Sequence, residues 1–90
     1  MKIKPGFILR TVDDMSIVVA VGEASRHFNG MITLNETGAV LWKQLENGCD
    51  EDALVSALCS AFTVDEQTAR EDARAFTEAA FRTTRRAYGA

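Results

Sequence analysis

The sequence contains few of the residues from which metal centres and catalytic sites are usually built. It has two cysteines, Cys49 and Cys59, and one histidine, His27. A structural zinc site needs a full set of cysteine or histidine ligands at short spacings, so we expect no metal site. His27 has no acidic residue or serine-rich turn beside it, and no glycine-rich phosphate loop is present. We therefore expect no catalysis and no bound cofactor, with both cysteines serving as small apolar residues in a reducing compartment.

Long apolar runs are also absent, and the charge is unevenly distributed. No run approaches the roughly 20 residues of a membrane-spanning helix, and the first residues lack the apolar core of a signal peptide. We therefore expect a cytoplasmic protein that does not bind membranes. The net charge of −3 comprises +1 over residues 1–34, −6 over 35–66 and +2 over 67–90. The acidic middle of the chain would repel a phosphate backbone, so we expect no nucleic-acid partner.

The first third of the chain has the pattern of short β-strands. Residues 7–12 alternate in polarity and residues 16–21 are rich in β-branched side chains, with a polar turn at Asp13–Asp14 between them. A third strand is expected over residues 27–34, after a polar connection. Gly30 within it indicates a bulge or a close approach of another backbone. Consecutive strands of this kind predict an antiparallel meander.

The rest of the chain has the periodicity of helices. A first helix begins after the N-cap Asn35 and ends at Asn47–Gly48, and a second begins after the N-cap Asp50. A third begins near residues 63–65 and continues for about twenty residues, to the neighbourhood of Arg85. Strands followed by helices in this order predict a three-stranded sheet with helices packed against it.

The predicted fold is a single α+β domain over the whole chain, 1–90, with a three-stranded antiparallel sheet followed by three helices, similar to a winged helix-turn-helix. The sheet is expected to pack against the first and third helices. The first helix carries Gly38 in its first turn, although glycine destabilises a helix interior by about 0.5–1 kcal/mol relative to alanine. We interpret Gly38 as permitting a close approach to the sheet, with Trp42 filling the space one turn later.

One stretch of the chain resembles the signature of the PqqD-like family, G-x-x-x-x-L-N-x-T-G-x-x-[IL]-W-x-x-L-x-x-G. The resemblance extends over roughly residues 5–81 and includes a later D-V-x-x-F segment, here residues 72–76. The chain departs from the family pattern at Thr77 and Ala80, where leucine is usual. The matched positions of the signature are Gly30, Leu34, Asn35, Thr37, Gly38, Leu41, Trp42, Leu45 and Gly48.

The resemblance implies a function as well as a fold. Members of this family act as RiPP recognition elements: they bind the leader segment of a ribosomally made precursor peptide and present it to a modifying enzyme, often a radical-SAM protein, as in PQQ biosynthesis. Such a peptide can add as an extra strand to an exposed sheet edge, here the third strand, while the third helix supplies specificity. Phe76 is interpreted as a core residue. The expected peptide-binding residues are His27, Phe28, Asn29, Gly30, Met31, Ile32, Thr33, Arg70, Ala73, Arg74 and Thr77.

Other functions remain open at the level of sequence. A winged-helix DNA-binding regulator would use the third helix, which carries five arginines, as its recognition helix. A homodimeric structural subunit would pair its edge strands or its third helices, which carry a stripe of alanines. A gel-mobility assay with DNA and a molar mass from light scattering would distinguish these functions from peptide binding.

Overall fold

A computed structural model describes residues 1–26 and 31–86 of the chain, without the side chain of Arg86. Its sheet is antiparallel, with the strand order β1–β2–β3. The polar turn expected between the first two strands is present, and Asp13 there has a φ of 55°, which aspartate tolerates better than most residues. The strands are β1 (Phe7–Val12), β2 (Met15–Ala20) and β3 (Met31–Leu34).

Helices follow the sheet, as the sequence predicts. Asn35 caps the first of them, because its Oδ1 accepts a 2.8 Å hydrogen bond from the Gly38 N–H. Asp50 caps the second through a 2.8 Å bond from the Ala53 N–H. The order of strands and helices confirms the predicted α+β class. The helices are α1 (Glu36–Asn47), α2 (Glu51–Ala61) and α3 (Glu66–Arg86), and a short 3₁₀ helix (Gly22–Arg26) precedes β3.

The core lies between one face of the sheet and the helices. The ring of Phe7 in β1 meets the Trp42 indole edge-on, with the ring centroids 6.3 Å apart. The indole N–H of Trp42 donates a 2.7 Å hydrogen bond to Glu46 Oε1, so Trp42 joins α1 to the sheet without leaving a polar group unpaired. The largest fully buried side chains are Trp42, Leu41, Leu45, Leu54, Leu58 and Val18.

The other face of the sheet is exposed in the described part of the chain. Successive strand residues point to opposite faces, so the neighbours of the core-facing residues project outward. This face is unusually apolar, with side-chain exposures of 39% for Ile8, 52% for Val12 and Met15, and 62% for Met31. The described helices therefore cover one face of the sheet and leave the other exposed.

The beginning of the chain is held against the connection between α1 and α2. The Ile3 N–H donates a 3.1 Å hydrogen bond to the Leu45 carbonyl, and the Cys49 N–H donates a 2.8 Å bond to the Met1 carbonyl. Ile3 is buried as a result. No periodicity in the sequence indicates this contact.

Candidate functional site

β3 lies at one edge of the sheet. Its strand partner is β2, and no other strand among the described residues pairs with its free side. Ile32 and Leu34 point toward α3, whereas Met31 and Thr33 belong to the exposed face. An open edge of this kind offers unpaired backbone N–H and C=O groups to another extended chain.

A small apolar cavity lies between β3 and α3. Its volume is about 90 Å³. The cavity exists because Ala79 and Ala80 present short side chains where longer ones would fill the space. This apolar cavity is lined by Ile32, Leu34, Trp42, Phe76, Ala79, Ala80 and Thr83.

A more polar cavity adjoins the first at the beginning of α1. Its volume is about 250 Å³, and the ring of Phe76 belongs to the lining of both cavities. The two cavities and the free edge of β3 are termed the groove. The polar cavity is lined by Asn35, Thr37, Gly38, Leu41, Asp72, Ala75 and Phe76.

Gly38 brings α1 close enough to α3 to form this arrangement. A Cβ atom at Gly38 would lie 3.1 Å from Phe76 Cε1, 3.1 Å from Asn35 Oδ1 and 3.4 Å from Leu34 Cβ. The sequence predicted a close approach to the sheet, and Leu34 of β3 is indeed one neighbour. The tightest contact between elements, however, is with α3, through the ring of Phe76.

Few of the sequence-predicted binding residues line the two cavities of the groove. Of those on β3 that the structure describes, Ile32 lines the apolar cavity, while Met31 and Thr33 lie on the exposed face. Thr77 is half-buried on α3, and its Oγ1 is buried with no hydrogen-bond partner among the described residues. The remaining predicted strand residues lie outside the described part of the chain, namely His27, Phe28, Asn29 and Gly30.

Three of the predicted residues on α3 lie away from the two cavities. Ala73 is 0% exposed and belongs to the hydrophobic core, so it cannot contact a ligand. Arg70 and Arg74 extend toward Glu51 at the beginning of α2. Arg74 precedes Phe76 by two positions, which places it about 160° away around the helix axis. These arginines therefore face away from the groove.

Carboxylates at the start of α2 account for the direction of both arginines. Arg74 Nε donates a 2.7 Å hydrogen bond to Glu51 Oε1, and Arg70 Nη1 donates a 2.6 Å bond to Glu51 Oε2. Arg70 Nη2 also contacts Asp52 at 3.1 Å and Glu66 at 3.3 Å. The hydrogen bonds from Arg74 and then Arg70 lower the pKa of Glu51. Both arginines are thus committed to contacts within the chain.

Sequence reasoning missed most of the helical wall of the groove. Phe76, interpreted as a core residue, is half-buried and contributes to both cavities. Starting from Phe76, the i, i+3, i+4, i+7 pattern of one helix face gives Ala79, Ala80 and Thr83, all of which line the apolar cavity. That periodicity could have identified them. The contribution of Asp72 depends on the packing of α3 against α1, which no local pattern indicates.

Comparison with known proteins identifies the family. The model of the family described as Coenzyme PQQ synthesis protein D (PqqD) matches residues 17–82, a range that includes both β3 and α3. The chain belongs to the PqqD family. The resemblance seen in the signature is thereby confirmed. A comparison with curated protein sequences gave no match.

A solved structure resembles this PqqD-family chain over most of its length. It is described as TbiB1 in complex with the TbiA(beta) leader peptide. The two chains share 26% sequence identity with a TM-score of 0.69, over 88% of this chain and 86% of the other. The arrangement of three strands followed by three helices is therefore one that a protein solved with a leader peptide also has.

Residues 1–26 and 31–86 contain neither a membrane-spanning helix nor a cluster of metal-ligating side chains. No helix in these ranges combines the length and the hydropathy that crossing a bilayer requires. The same ranges contain no group of three or more histidine, cysteine, aspartate or glutamate side chains placed to hold a metal ion.

Proposed function

We propose that this PqqD-family chain is a non-catalytic peptide-binding protein. It binds the leader segment of a ribosomally made precursor peptide and presents that peptide to the enzyme that modifies it. The observation that carries the proposal is the open edge of β3 beside the apolar cavity. The likeness to TbiB1, whose structure holds the TbiA(beta) leader peptide, supports it.

The peptide would add to β3 as a further strand of the sheet. Each backbone hydrogen bond contributes about 0.5–1.5 kcal/mol net, whereas ordering a flexible segment costs about 2–5 kcal/mol. The described part of β3 has four residues, and backbone pairing along it does little more than offset the cost of ordering the peptide. Micromolar to submicromolar binding corresponds to about −8 to −9 kcal/mol. Side chains of the peptide must supply most of that affinity.

The apolar cavity is suited to hold one aliphatic side chain of the peptide. Its volume of about 90 Å³ is small, since a cavity that takes up benzene measures about 150 Å³. Complete burial of a valine, leucine or isoleucine side chain contributes about 1.5–3 kcal/mol. We therefore expect a branched aliphatic residue as the anchor of the leader, and weaker binding when an aromatic residue replaces it.

The charges on α3 do not favour the alternative function of DNA binding. Arg70 and Arg74 contact Glu51, and Arg82 contacts Glu78 at 2.8 Å. Binding to DNA depends on cations that can neutralise several phosphates. Of the five arginines on α3, these three are already paired with carboxylates, which reduces the number of cations available to phosphates.

We further propose that the partner enzyme is a radical-SAM protein and that the pair acts in the cytoplasm. The first part rests on the PqqD signature, because enzymes of that class are frequent partners in this family. The description of the matching family, which names coenzyme PQQ synthesis, is consistent with it. For the second part, Cys49 and Cys59 are both free thiols, as is usual in a reducing compartment.

Peptide binding can be tested with the full chain labelled with ¹⁵N. Synthetic peptides would cover the short open reading frames encoded beside its gene, each with a scrambled version as control. We expect saturable shifts of the backbone amides of residues 31–34 and 76–83 with one peptide, and none with its scrambled version. Shifts confined to α2, or no shift with any peptide, would contradict the proposal. Light scattering during the titration distinguishes peptide binding from pairing of two copies of the chain.

A matched pair of variants locates the binding site. Ala79→Phe would fill the apolar cavity, while Ala61→Phe places the same ring on an exposed position at the end of α2. We expect Ala79→Phe to weaken peptide binding at least tenfold, which corresponds to about 1.4 kcal/mol. Ala61→Phe should bind like the unmodified chain. Equal affinities for the two variants would place the peptide elsewhere.

A further inference from the structure

The polar cavity contains hydrogen-bonding groups that the fold does not use. Asp72 is exposed and makes no ion pair or hydrogen bond within the described residues, and the Thr37 hydroxyl likewise has no partner there. Asn35 uses its Oδ1 to accept the Gly38 N–H, which leaves its side-chain amide group available. A carboxylate, a hydroxyl and an amide therefore converge on one cavity of about 250 Å³.

The electrostatic character of this cavity is negative. None of its lining residues is basic. The arginines nearest in sequence on α3, Arg70 and Arg74, are held by Glu51 on the other side of the helix. The first-turn N–H of α1 at Gly38 is already occupied by the side chain of the N-cap Asn35. The Asp72 carboxylate is the charged group that a ligand would meet.

We propose that the polar cavity is a second subsite of the groove, which binds a lysine or arginine side chain of the peptide. The inference rests on the proposed function and deepens it by specifying a charged residue in the leader. A long side chain that ends in hydrogen-bond donors complements the acceptors that Asp72 and Thr37 contribute to the cavity. Asp72 is the residue that determines this specificity.

The spacing of the two cavities predicts the spacing of the two peptide residues. On α3, the polar cavity is lined by residues within 72–76 and the apolar cavity by residues within 76–83. The mean positions of these two sets are about five residues apart, which is about 8 Å along the helix axis. Residues two apart on a strand point to the same side and are separated by about 7 Å. The basic residue and the aliphatic anchor are therefore expected two positions apart.

The direction of β3 predicts their order. β3 runs from Ile32 in the apolar cavity toward Asn35 in the polar cavity. All existing pairings in the sheet are antiparallel, and antiparallel pairing is slightly the more stable kind. In a peptide that pairs antiparallel to β3, the residue at the polar cavity therefore precedes the residue at the apolar cavity in sequence. The expected motif is thus a lysine or arginine, any residue, then a branched aliphatic residue.

The test uses a random peptide library displayed on phage and selected against the full chain. The selection is repeated with Asp72→Lys. Glu71→Lys serves as the control, because it makes the same change of charge at the neighbouring exposed carboxylate. We expect the unmodified chain and Glu71→Lys to enrich the basic–x–aliphatic motif. Peptides selected by Asp72→Lys should keep the aliphatic residue and carry aspartate or glutamate in place of the basic residue. Circular dichroism of each variant checks that it is folded.

A synthetic peptide from the selection then measures the size of the effect. Replacing its basic residue by glutamine should weaken binding to the unmodified chain about three- to tenfold, as for a partly exposed charge pair. The same replacement should not weaken binding to Asp72→Lys. Added salt should reduce the difference, because exposed charges are screened.

The outcomes separate this inference from the proposed function. Enrichment of peptides with an aliphatic anchor but no basic residue, or a basic preference unchanged in Asp72→Lys, would overturn the polar subsite and leave peptide binding intact. Failure to enrich any peptide that shifts the amides of residues 31–34 would contradict the proposed function, and the polar subsite with it.

Discussion

Gly38 lies in the first turn of α1, where an added methyl group has almost no room. Its Cβ would lie 3.1 Å from Phe76 Cε1 and 3.1 Å from Asn35 Oδ1, distances shorter than nearly all side-chain contacts. The position is buried, so the ring and the cap would both have to move by a few tenths of an ångström. Close-packed interiors resist such movements.

Two opposing effects determine how Gly38→Ala changes stability. Alanine favours the helix over glycine by about 0.5–1 kcal/mol, while overpacking a well-packed site costs about 1–3 kcal/mol. We therefore expect Gly38→Ala to lower the free energy of unfolding by about 1 kcal/mol and Gly38→Leu to lower it further. For a domain of this size, a loss of 1 kcal/mol lowers the Tm by about 4–8 °C.

Urea denaturation followed by circular dichroism measures this change. The free energy of unfolding should depend on urea concentration with the same slope in the variant and the unmodified chain, which shows that both unfold in the same transition. A second background carrying Phe76→Leu removes the ring atom that the methyl group would meet. Gly38→Ala should be less harmful or even stabilising in that background, with a coupling of about 1 kcal/mol between the two sites. If Gly38→Ala stabilised the unmodified chain by its helix propensity, the close contact between α1 and α3 would not be the reason for the glycine.

Further predictions concern single groups whose roles the structure defines. Because hydrogen bonds from Arg74 and Arg70 lower the pKa of Glu51 from its ordinary value of 4.5, the folded chain binds that proton less readily than the unfolded chain. The stability that this carboxylate contributes is complete above that value and is lost as the pH falls through the lowered pKa. The difference between the unmodified chain and Glu51→Gln in urea denaturation should therefore shrink as the pH falls below 4.5. Thr77→Val removes a buried hydroxyl that has no partner among the described residues and should raise the free energy of unfolding by about 1 kcal/mol. Asn35→Ala removes the α1 cap and should cost about 1 kcal/mol, whereas Asp72→Asn should change thermal stability by less than about 0.5 kcal/mol, since no contact depends on its charge. A large loss in Asp72→Asn would show that the carboxylate serves the fold.

The architecture could be predicted from sequence because its signals are local. Alternating polarity indicated the strands, and the N-cap residues Asn35 and Asp50 fixed where α1 and α2 begin. Each of these signals depends on residues within one turn or one strand of each other. The attachment of Ile3 to the Leu45 carbonyl was missed for the opposite reason, because it joins segments that are distant in sequence.

The groove was predicted only in part, because the rotation of α3 about its axis is set by tertiary contacts. The stripe of small residues on this helix is compatible with packing against either the sheet or α2. Arg70 and Arg74 were predicted to contact the peptide because the third helix was expected to supply specificity. Glu51 attracts them to α2 instead, and its position relative to α3 is a consequence of how the helices pack. The β3 edge, which depends only on strand order, was predicted correctly.

The residues that match the PqqD signature have two kinds of role in this structure. Gly38 and Phe76 bring α1 against α3, Asn35 caps α1, and these roles account for the identity of each residue. Thr37 and Asp72 also match the family pattern, yet no described contact uses the hydroxyl of one or the carboxylate of the other. Packing places both groups in the lining of the polar cavity, although no described contact uses either of them. The polar subsite proposed above would give both groups a function, because a basic side chain of the peptide would donate hydrogen bonds to them.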